Sequence, residues 1–427
     1  MKNKSIALQL LLLVFSVVSF ARVPPVVARA FGGNGDDAGK DIIATRDGGI
    51  VVVGYTSSSE GEFFSRNGEE DFLIAKFSED LKLQWWNSFG GSRRDMAEGV
   101  VQTANGNFVL VGLTESSDGD VSFNNGFGDY WVICVSAEGE LLWERSFGGR
   151  VQDHAFDLVD LGNGSLVVGG YTRSNDGDVE NYIWGEDFWL VEIDEDGTLL
   201  SQWLFDVAQS EDSPRRLFQD GEGSIYSVGY FSKRDCNVSC QYVDNQLSLL
   251  KLDPSGEMIW FKQYGDRWLE SGYDGIVSSE GQIFVVGEQD AGQSLFSSGY
   301  GGRDFWVLAS DENGEEILSR NFGGSYSETA RGIIELDTGD LMIAGHTNSS
   351  NYDVKSNHGK TDGWVIVIDV SGKLLESTTI GGAKDDLILS LAKADGYVFF
   401  TGHTNSSEFG VKPAQADRDL WLISMKR

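Results

Sequence analysis

Acidic side chains carry most of the chemistry that this sequence could perform. Seven Phe-Gly-Gly-like steps begin at Phe31, Phe89, Phe147, Phe205, Tyr264, Phe322 and Ile380, and each is followed six residues later by an acid: Asp37, Asp95, Asp153, Glu211, Glu270, Glu328 and Asp386. Carboxylate oxygens collect hard cations such as Ca²⁺, and they equally accept backbone N–H bonds in turns. An acid kept in every unit is better explained by something every unit needs, which favours the turn. A second acidic feature is "SSDGDV" (116–121) and "SNDGDV" (174–179), where Asp118, Asp120, Asp176 and Asp178 resemble half a calcium loop. The spacing lacks the terminal bidentate Glu of a twelve-residue loop, and Asp-Gly is also a common turn pair. Ca²⁺ is the only cofactor that these residues bring into consideration. Finally, Asp41, Asp157 and Asp274 stand four residues beyond the shared acid in units 1, 3 and 5. Crowded carboxylates retain a proton near neutrality, as general acid catalysis at a glycosidic bond requires. In a chain with 66 acids such coincidences are also expected.

Residues that break the period are more informative, because the repeat does not need them. His154 follows the third Phe-Gly-Gly, and Arg215 with Arg216 follows the irregular stretch "FDVAQSEDSP". Tyr182 and Trp184 lie in "ENYIWGED", and Arg267 and Trp268 in "YGDRWLESGYD". Exposed Trp and Tyr beside polar groups suit sugar rings or a protein hot spot, and they also pack under long loops. His346 and His403 occupy matching places in "AGHTNSS" and "TGHTNSS", where units 1 and 3 carry Tyr55 and Tyr171. Cys236 and Cys240 in "RDCNVSCQ" are close enough for a small loop disulfide, and two thiols without a nearby His pair make a weak zinc signal. Cys134, in the apolar run "YWVICVS", reads as a buried small hydrophobe. The sequence contains no Gly-x-Ser-x-Gly elbow, no His-Glu-x-x-His, no phosphate loop and no dinucleotide fingerprint.

The elements that must position these residues follow from the repeat. The seven steps are 58 or 59 residues apart and cover everything after the first thirty residues. Each unit holds four short runs rich in Val, Leu, Ile and aromatics, separated by Gly, Asn and Asp turns, with no sustained 3.6-residue period. Unit 2 reads "DMAEGVVQTANG", "NFVLVGLTESSDGD", "DYWVICVSAEGE", "LLWERSFGG". The expected fold is all-β, a seven-bladed β-propeller of four-stranded blades. Unit 7 ends at its third run, "DLWLISMKR", whereas "VPPVVARAFGG" near the N-terminus has the form of a fourth. Val26–Ala30 should therefore complete the last blade and remove the open sheet edge. The long second-to-third loops and the crossings between blades should share one face, which is the expected binding face. Periodic aromatics (Trp131, Trp189, Trp306, Trp364 and Trp421 in the third run, Trp85 and Trp143 in the fourth) read as blade packing rather than as a ligand site.

Composition narrows the partners. The formal charge of −33 on 427 residues argues against nucleic acid and anionic membranes. "MKNKS", the apolar run Ile6–Phe20 and Ser19-Phe20-Ala21 read as an export signal over residues 1–21, with 22–427 as a single domain. The apolar run is short for a bilayer span, and no later segment is a membrane candidate.

The pattern "FGG-x3-D…GG-x-VV-x-GYT…G-x2-DFWL…D-x2-G-x-LLW" resembles the secreted bacterial β-propeller repeat families of the SBBP and delta-60 type. The resemblance covers all seven units and implies propeller architecture and export; these families have no uniform reaction or ligand. The expected protein is an exported monomer, periplasmic, cell-surface or secreted, that acts as a binding module. Its expected ligand is a carbohydrate or another surface protein, held over blades 3 to 5. The rival expectation is a carbohydrate-active hydrolase or lyase that uses Asp41, Asp157 and Asp274.

Overall fold

The structure is a computed structural model and describes residues 26–65, 68–180, 182, 185–205, 211–234, 243–265, 269–290, 301–409 and 418–427. Seven four-stranded antiparallel sheets follow one another along the chain as blades of a propeller. Blade 2 is representative, with strands Asp95–Gln102, Phe108–Thr114, Asp129–Val135 and Leu141–Phe147 from axis to rim. Its two middle strands, FVLVGLT and DYWVICV, are buried throughout. Sheets covered on both faces select such continuous runs of β-branched and aromatic residues. The rim strand LLWERSF is only half covered and reads as a mixture of polar and apolar residues.

Each hydrophobic cluster spans two blades, so a blade is stable only beside its neighbour. One cluster joins Val51, Phe72 and Ile74 of blade 1 to Val100, Leu110 and Trp131 of blade 2. The third-strand tryptophans are the pins. Trp131 packs on Phe72 at 4.6 Å, Trp189 on Tyr130 at 4.7 Å and Trp364 on Phe305 at 4.4 Å. Their indole N–H groups donate to rim-strand acceptors of their own blade, Glu144 at 3.0 Å, Gln202 at 3.0 Å and Ser377 at 3.0 Å. A buried Trp usually finds such a partner for its one polar group.

The ring closes as the termini indicate. Val26–Phe31 is the rim strand of blade 7 and pairs antiparallel with Asp419–Lys426, Ala30 opposite Trp421. Among the described residues no helix is long and apolar enough to cross a membrane.

The innermost strands position the site, and all seven carry the same irregularity. Each slips register by one residue against its neighbour strand, between Gly39 and Asp41, Ala97 and Gly99, Ala155 and Asp157, Pro214 and Arg216, Gly272 and Asp274, Ala330 and Gly332, and Ile388 and Ser390. A bulge of this kind bends the strand and re-aims the side chain of its extra residue. Here seven bulges face one axis.

Candidate functional site

The seven extra residues are Lys40, Glu98, Phe156, Arg215, Tyr273, Arg331 and Leu389, and all line one axial cavity of ≈ 410 Å³. His154, Tyr171, Glu186, Ser213, Tyr230 and Ser390 complete much of its wall. Glu186 ends a second-to-third loop, so the cavity lies on the side of the long loops and crossings.

Its floor is the next ring of inward positions: Asp41, Gly99, Asp157, Arg216, Asp274, Gly332 and Ser390. The fold does bring Asp41, Asp157 and Asp274 together, around one guanidinium. Arg216 Nη1 lies 3.1 Å from Asp41 Oδ1, and Arg216 Nε lies 3.4 Å from Asp157 Oδ2 and 3.4 Å from Asp274 Oδ1. Each carboxylate also clasps the following blade. Asp41 accepts from Val100 N–H at 3.3 Å, Asp157 from Leu217 N–H at 2.7 Å and Asp274 from Ile333 N–H at 2.9 Å. Ser390 Oγ donates to Asp41 Oδ1 at 2.7 Å and links blade 7 to blade 1. Burial, opposed by Arg216 and reinforced by Asp41, raises the Asp157 carboxyl, and burial opposed by Arg216 raises Asp274 to about 6. The three acids hold the Arg216 guanidinium charged against its burial. Of the three acids only Asp274 reaches the cavity wall.

Above the floor, charge and aromatic groups divide the cavity. On one side Lys40 pairs with Glu98 at 3.3 Å, and His154 Nε2 stands 3.7 Å from the same carboxylate. The His154 ring stacks on Phe156 at 4.3 Å, and burial lowers its pKa, so it is neutral near pH 7. On the other side the Arg215 guanidinium lies 4.4 Å from the Phe156 ring centre and 5.3 Å from that of Tyr230. Arg331 lies 4.0 Å from the ring centre of Tyr273. These separations are within cation–π range.

Of the sequence-derived candidates, His154, Arg215, Arg216 and Asp274 line this cavity. Tyr182 does not: it packs on the blade 3 core, and its hydroxyl pins its own loop to Gly185 at 2.9 and 3.1 Å. Trp184, Arg267, Trp268, Cys236 and Cys240 lie outside the described residues, as does the export signal. Cys134 is buried. His346 and His403 are kept neutral by burial, their pKa values lowered to about 3 and about 4.

The repeated acids are turned into the blade junctions, in the turn role that their recurrence favours over a cation ring. Asp95 accepts from Gly91 N–H at 2.8 Å, Thr114 Oγ1 at 2.5 Å and Ser116 Oγ at 2.8 Å. Asp153 and Asp386 repeat this set with Gly149, Thr172 and Ser174, and with Gly382, Thr404 and Ser406. The crossing amides need acceptors, and the repeated "T-x-S" that follows the second strand supplies the hydroxyl donors. Burial raises Asp37 and Asp95 to about 6. Burial, with Asp153 adding to it, raises Asp129 to about 7.

The Asp-Gly-Asp residues clamp the same crossings. Asp118 accepts from Ser92 N–H at 2.7 Å and Asp120 from Gly90 N–H at 3.2 Å; Asp176 accepts from Arg150 N–H at 2.8 Å and Asp178 from Gly148 N–H at 3.1 Å. In blade 6 the first position is Asn351, which accepts from Ser325 N–H at 2.9 Å. An amide does the same work, so the position needs an acceptor and no charge. Among the described residues no three His, Cys, Asp or Glu side chains are grouped to hold a metal ion. The clamp also explains the Phe-Gly-Gly step. A Cβ on Gly90 would sit 2.5 Å from Asp71 Oδ1, and one on Gly91 would sit 2.5 Å from the Asp118 carbonyl oxygen.

Sequence reasoning missed Lys40, Glu98, Phe156, Tyr230, Tyr273 and Arg331. The signal was present: nine residues past each Phe-Gly-Gly start, ten in unit 4, the aligned repeats read Lys, Glu, Phe, Arg, Tyr, Arg, Leu, with no shared chemistry. That column looks like unconstrained surface until the bulge turns it toward the axis.

No family model matches the chain, and no curated relative matches it. Among solved structures it is similar to the WD40 β-propeller domain of Doa1, with 12% identity over 95% of this chain and 98% of that one, TM-score 0.53. The Neurospora crassa Pan2 WD40 domain aligns with 10% identity over 93% of this chain and 96% of that one, TM-score 0.52. Both likenesses concern the fold.

Proposed function

We propose that the protein is an exported binding module of the secreted bacterial β-propeller repeat type, with a carbohydrate ligand seated in the axial cavity. One observation carries this reading: seven bulges at one repeated position aim seven side chains of six different types into a single cavity. A position that the fold keeps in shape but leaves free in residue type is where a repeat protein can carry function. The volume is that of a small-ligand pocket, and its wall mixes Phe156, Tyr171, Tyr230 and Tyr273 with hydrogen-bonding groups, as sugar recognition requires. Export is supported by the charged, apolar and small-residue succession of residues 1–21.

The rival reading as a hydrolase or lyase has less support. Asp41, Asp157 and Asp274 are occupied by Arg216 and by backbone N–H groups. A protein partner is the second reading, and a separate observation favours it. Phe127 and Val151, on adjacent loops of the same face, are 76% and 40% exposed and joined by a backbone hydrogen bond.

Calorimetric titration of residues 22–427 with a panel of mono- and oligosaccharides tests the reading. Saccharide binding that is lost in Y273A and H154A is expected. Binding that survives both variants, or saccharide turnover that D274N abolishes, would overturn it.

A further inference from the structure

We infer that the ligand of this cavity carries a carboxylate, as in an acidic sugar residue, and that Arg215 and Arg331 are its anchors. The inference rests on the cavity's being a binding site.

The observation is an imbalance of partners. The chain has 66 acids against 33 Lys and Arg, and the other cations at and around the cavity each have an acid. Arg216 has Asp41, Asp157 and Asp274; Lys40 has Glu98; Arg173 has Glu186; Arg303 has Glu288. Arg215 and Arg331 are the exceptions. Among the described residues neither forms an ion pair or a hydrogen bond, and the Nε of each is buried with no partner. A guanidinium carries five donors, and leaving a buried one unmade is unfavourable. In a chain so rich in carboxylates, two cavity arginines without one mark a place where the acid comes from outside.

Geometry narrows the class. Phe156 and Tyr230 lie against the Arg215 guanidinium and Tyr273 lies against that of Arg331, and such ring contacts engage the charge without satisfying the N–H donors. The N–H donors remain to be met, and a planar carboxylate meets a guanidinium with two parallel hydrogen bonds. The two arginines come from blades 4 and 6 and flank Tyr273 of blade 5, whose hydroxyl they both influence. The floor beneath carries three carboxylates against one guanidinium. A single negative charge is repelled less by that floor than a phosphate dianion would be, which selects carboxylate over phosphate. In the same cavity the Lys40–Glu98 pair, and Ser213 on the strand of Arg215, offer donors and acceptors for hydroxyl groups. An aromatic wall, hydroxyl partners and a carboxylate fork together describe a uronate or a related acidic sugar.

The test is calorimetric titration of residues 22–427 with galacturonate, glucuronate and N-acetylneuraminate. Galactose and glucose serve as neutral counterparts, and benzoate and inorganic phosphate as anions without a sugar. At least one acidic sugar is expected to bind at least tenfold more tightly than the neutral ones, with affinity falling as salt is raised. R215Q and R331Q should each weaken it about tenfold to hundredfold. R215K and R331K keep the charge and lose the fork, so they guard against misfolding and should still weaken binding. Equal affinity for galactose and galacturonate would overturn the inference and leave the carbohydrate reading standing. Arginine-dependent binding of benzoate with no sugar bound would keep the carboxylate anchors and overturn the carbohydrate reading. Preference for phosphate over every carboxylate overturns the inference, and binding of no probe overturns both.

Discussion

Replacing Arg216 with methionine removes the one cation among Asp41, Asp157 and Asp274 while keeping most of the side-chain volume. The three acids are at most slightly exposed, and all lie 3.1–3.4 Å from the guanidinium. Taking one partner from a buried ion pair costs about 3–5 kcal/mol, because the remaining charge stays desolvated. The Arg216 side chain is 28% exposed, so some water reaches the cluster and the lower end, about 3 kcal/mol, is expected at pH 8. Acid should relieve the loss. Burial already holds Asp157 high and Asp274 at about 6 in the presence of Arg216, and without it both take up protons more readily. The assay is urea unfolding of wild type and R216M at pH 8 and pH 5.5, followed by Trp fluorescence. At pH 5.5 the difference should shrink to about half of its pH 8 value, since protonation relieves the like-charge repulsion. The double variant R216M/D157N should recover part of the stability at pH 8. A difference under about 1 kcal/mol at pH 8, or one that does not change with pH, would refute the idea that this cluster ties the blades together electrostatically.

Wild-type stability should itself rise on mild acidification. Asp37, Asp95, Asp129 and Asp274 have folded-state values of about 6 to about 7. Their contribution is complete below the unfolded value near 3.9 and is lost as pH rises through 6–7. The buried His154, His346 and His403, with lowered values, act in the opposite sense as pH falls below about 6.5. A higher melting temperature at pH 6 than at pH 8 is therefore expected, and calorimetric scans that fall from pH 8 to pH 6 would contradict these assignments. The clamp at Asp118 needs only an acceptor, so D118N should change stability by less than about 0.5 kcal/mol, whereas D118A should lose about 1 kcal/mol in urea unfolding. An equal loss in both would show that charge matters at that position. Deleting residues 1–31 leaves Asp419–Lys426, the strand that carries the buried Trp421, as an unpaired edge. Light scattering should then report oligomers or aggregates, and a stable monomer of wild-type melting temperature would count against closure by this strand.

The architecture was legible in the sequence because it rests on local rules repeated seven times. Alternating turn and strand signals, a spacing of 58 or 59 residues and the displaced fourth strand at Val26–Ala30 are enough for blade number, strand order and closure. The turn role of Asp37, Asp95, Asp153 and Asp386 was legible for the same reason: what every unit keeps serves every unit. The cavity was not legible in that way. Its wall takes one residue from each of seven units up to about 350 residues apart, and no local pattern says that Lys40, Arg215 and Arg331 face one another. Only the bulge, a backbone displacement of one residue per strand, decides that the column Lys, Glu, Phe, Arg, Tyr, Arg, Leu points at the axis while preceding residues such as Ala97, Ala155, Ala330 and Ile388 pack between blades. Likewise the sequence alone determined that Asp41, Asp157 and Asp274 share a register. Tertiary structure decided that Arg216 stands among them, because pairing in a low-dielectric interior depends on distances across the ring that only closure creates.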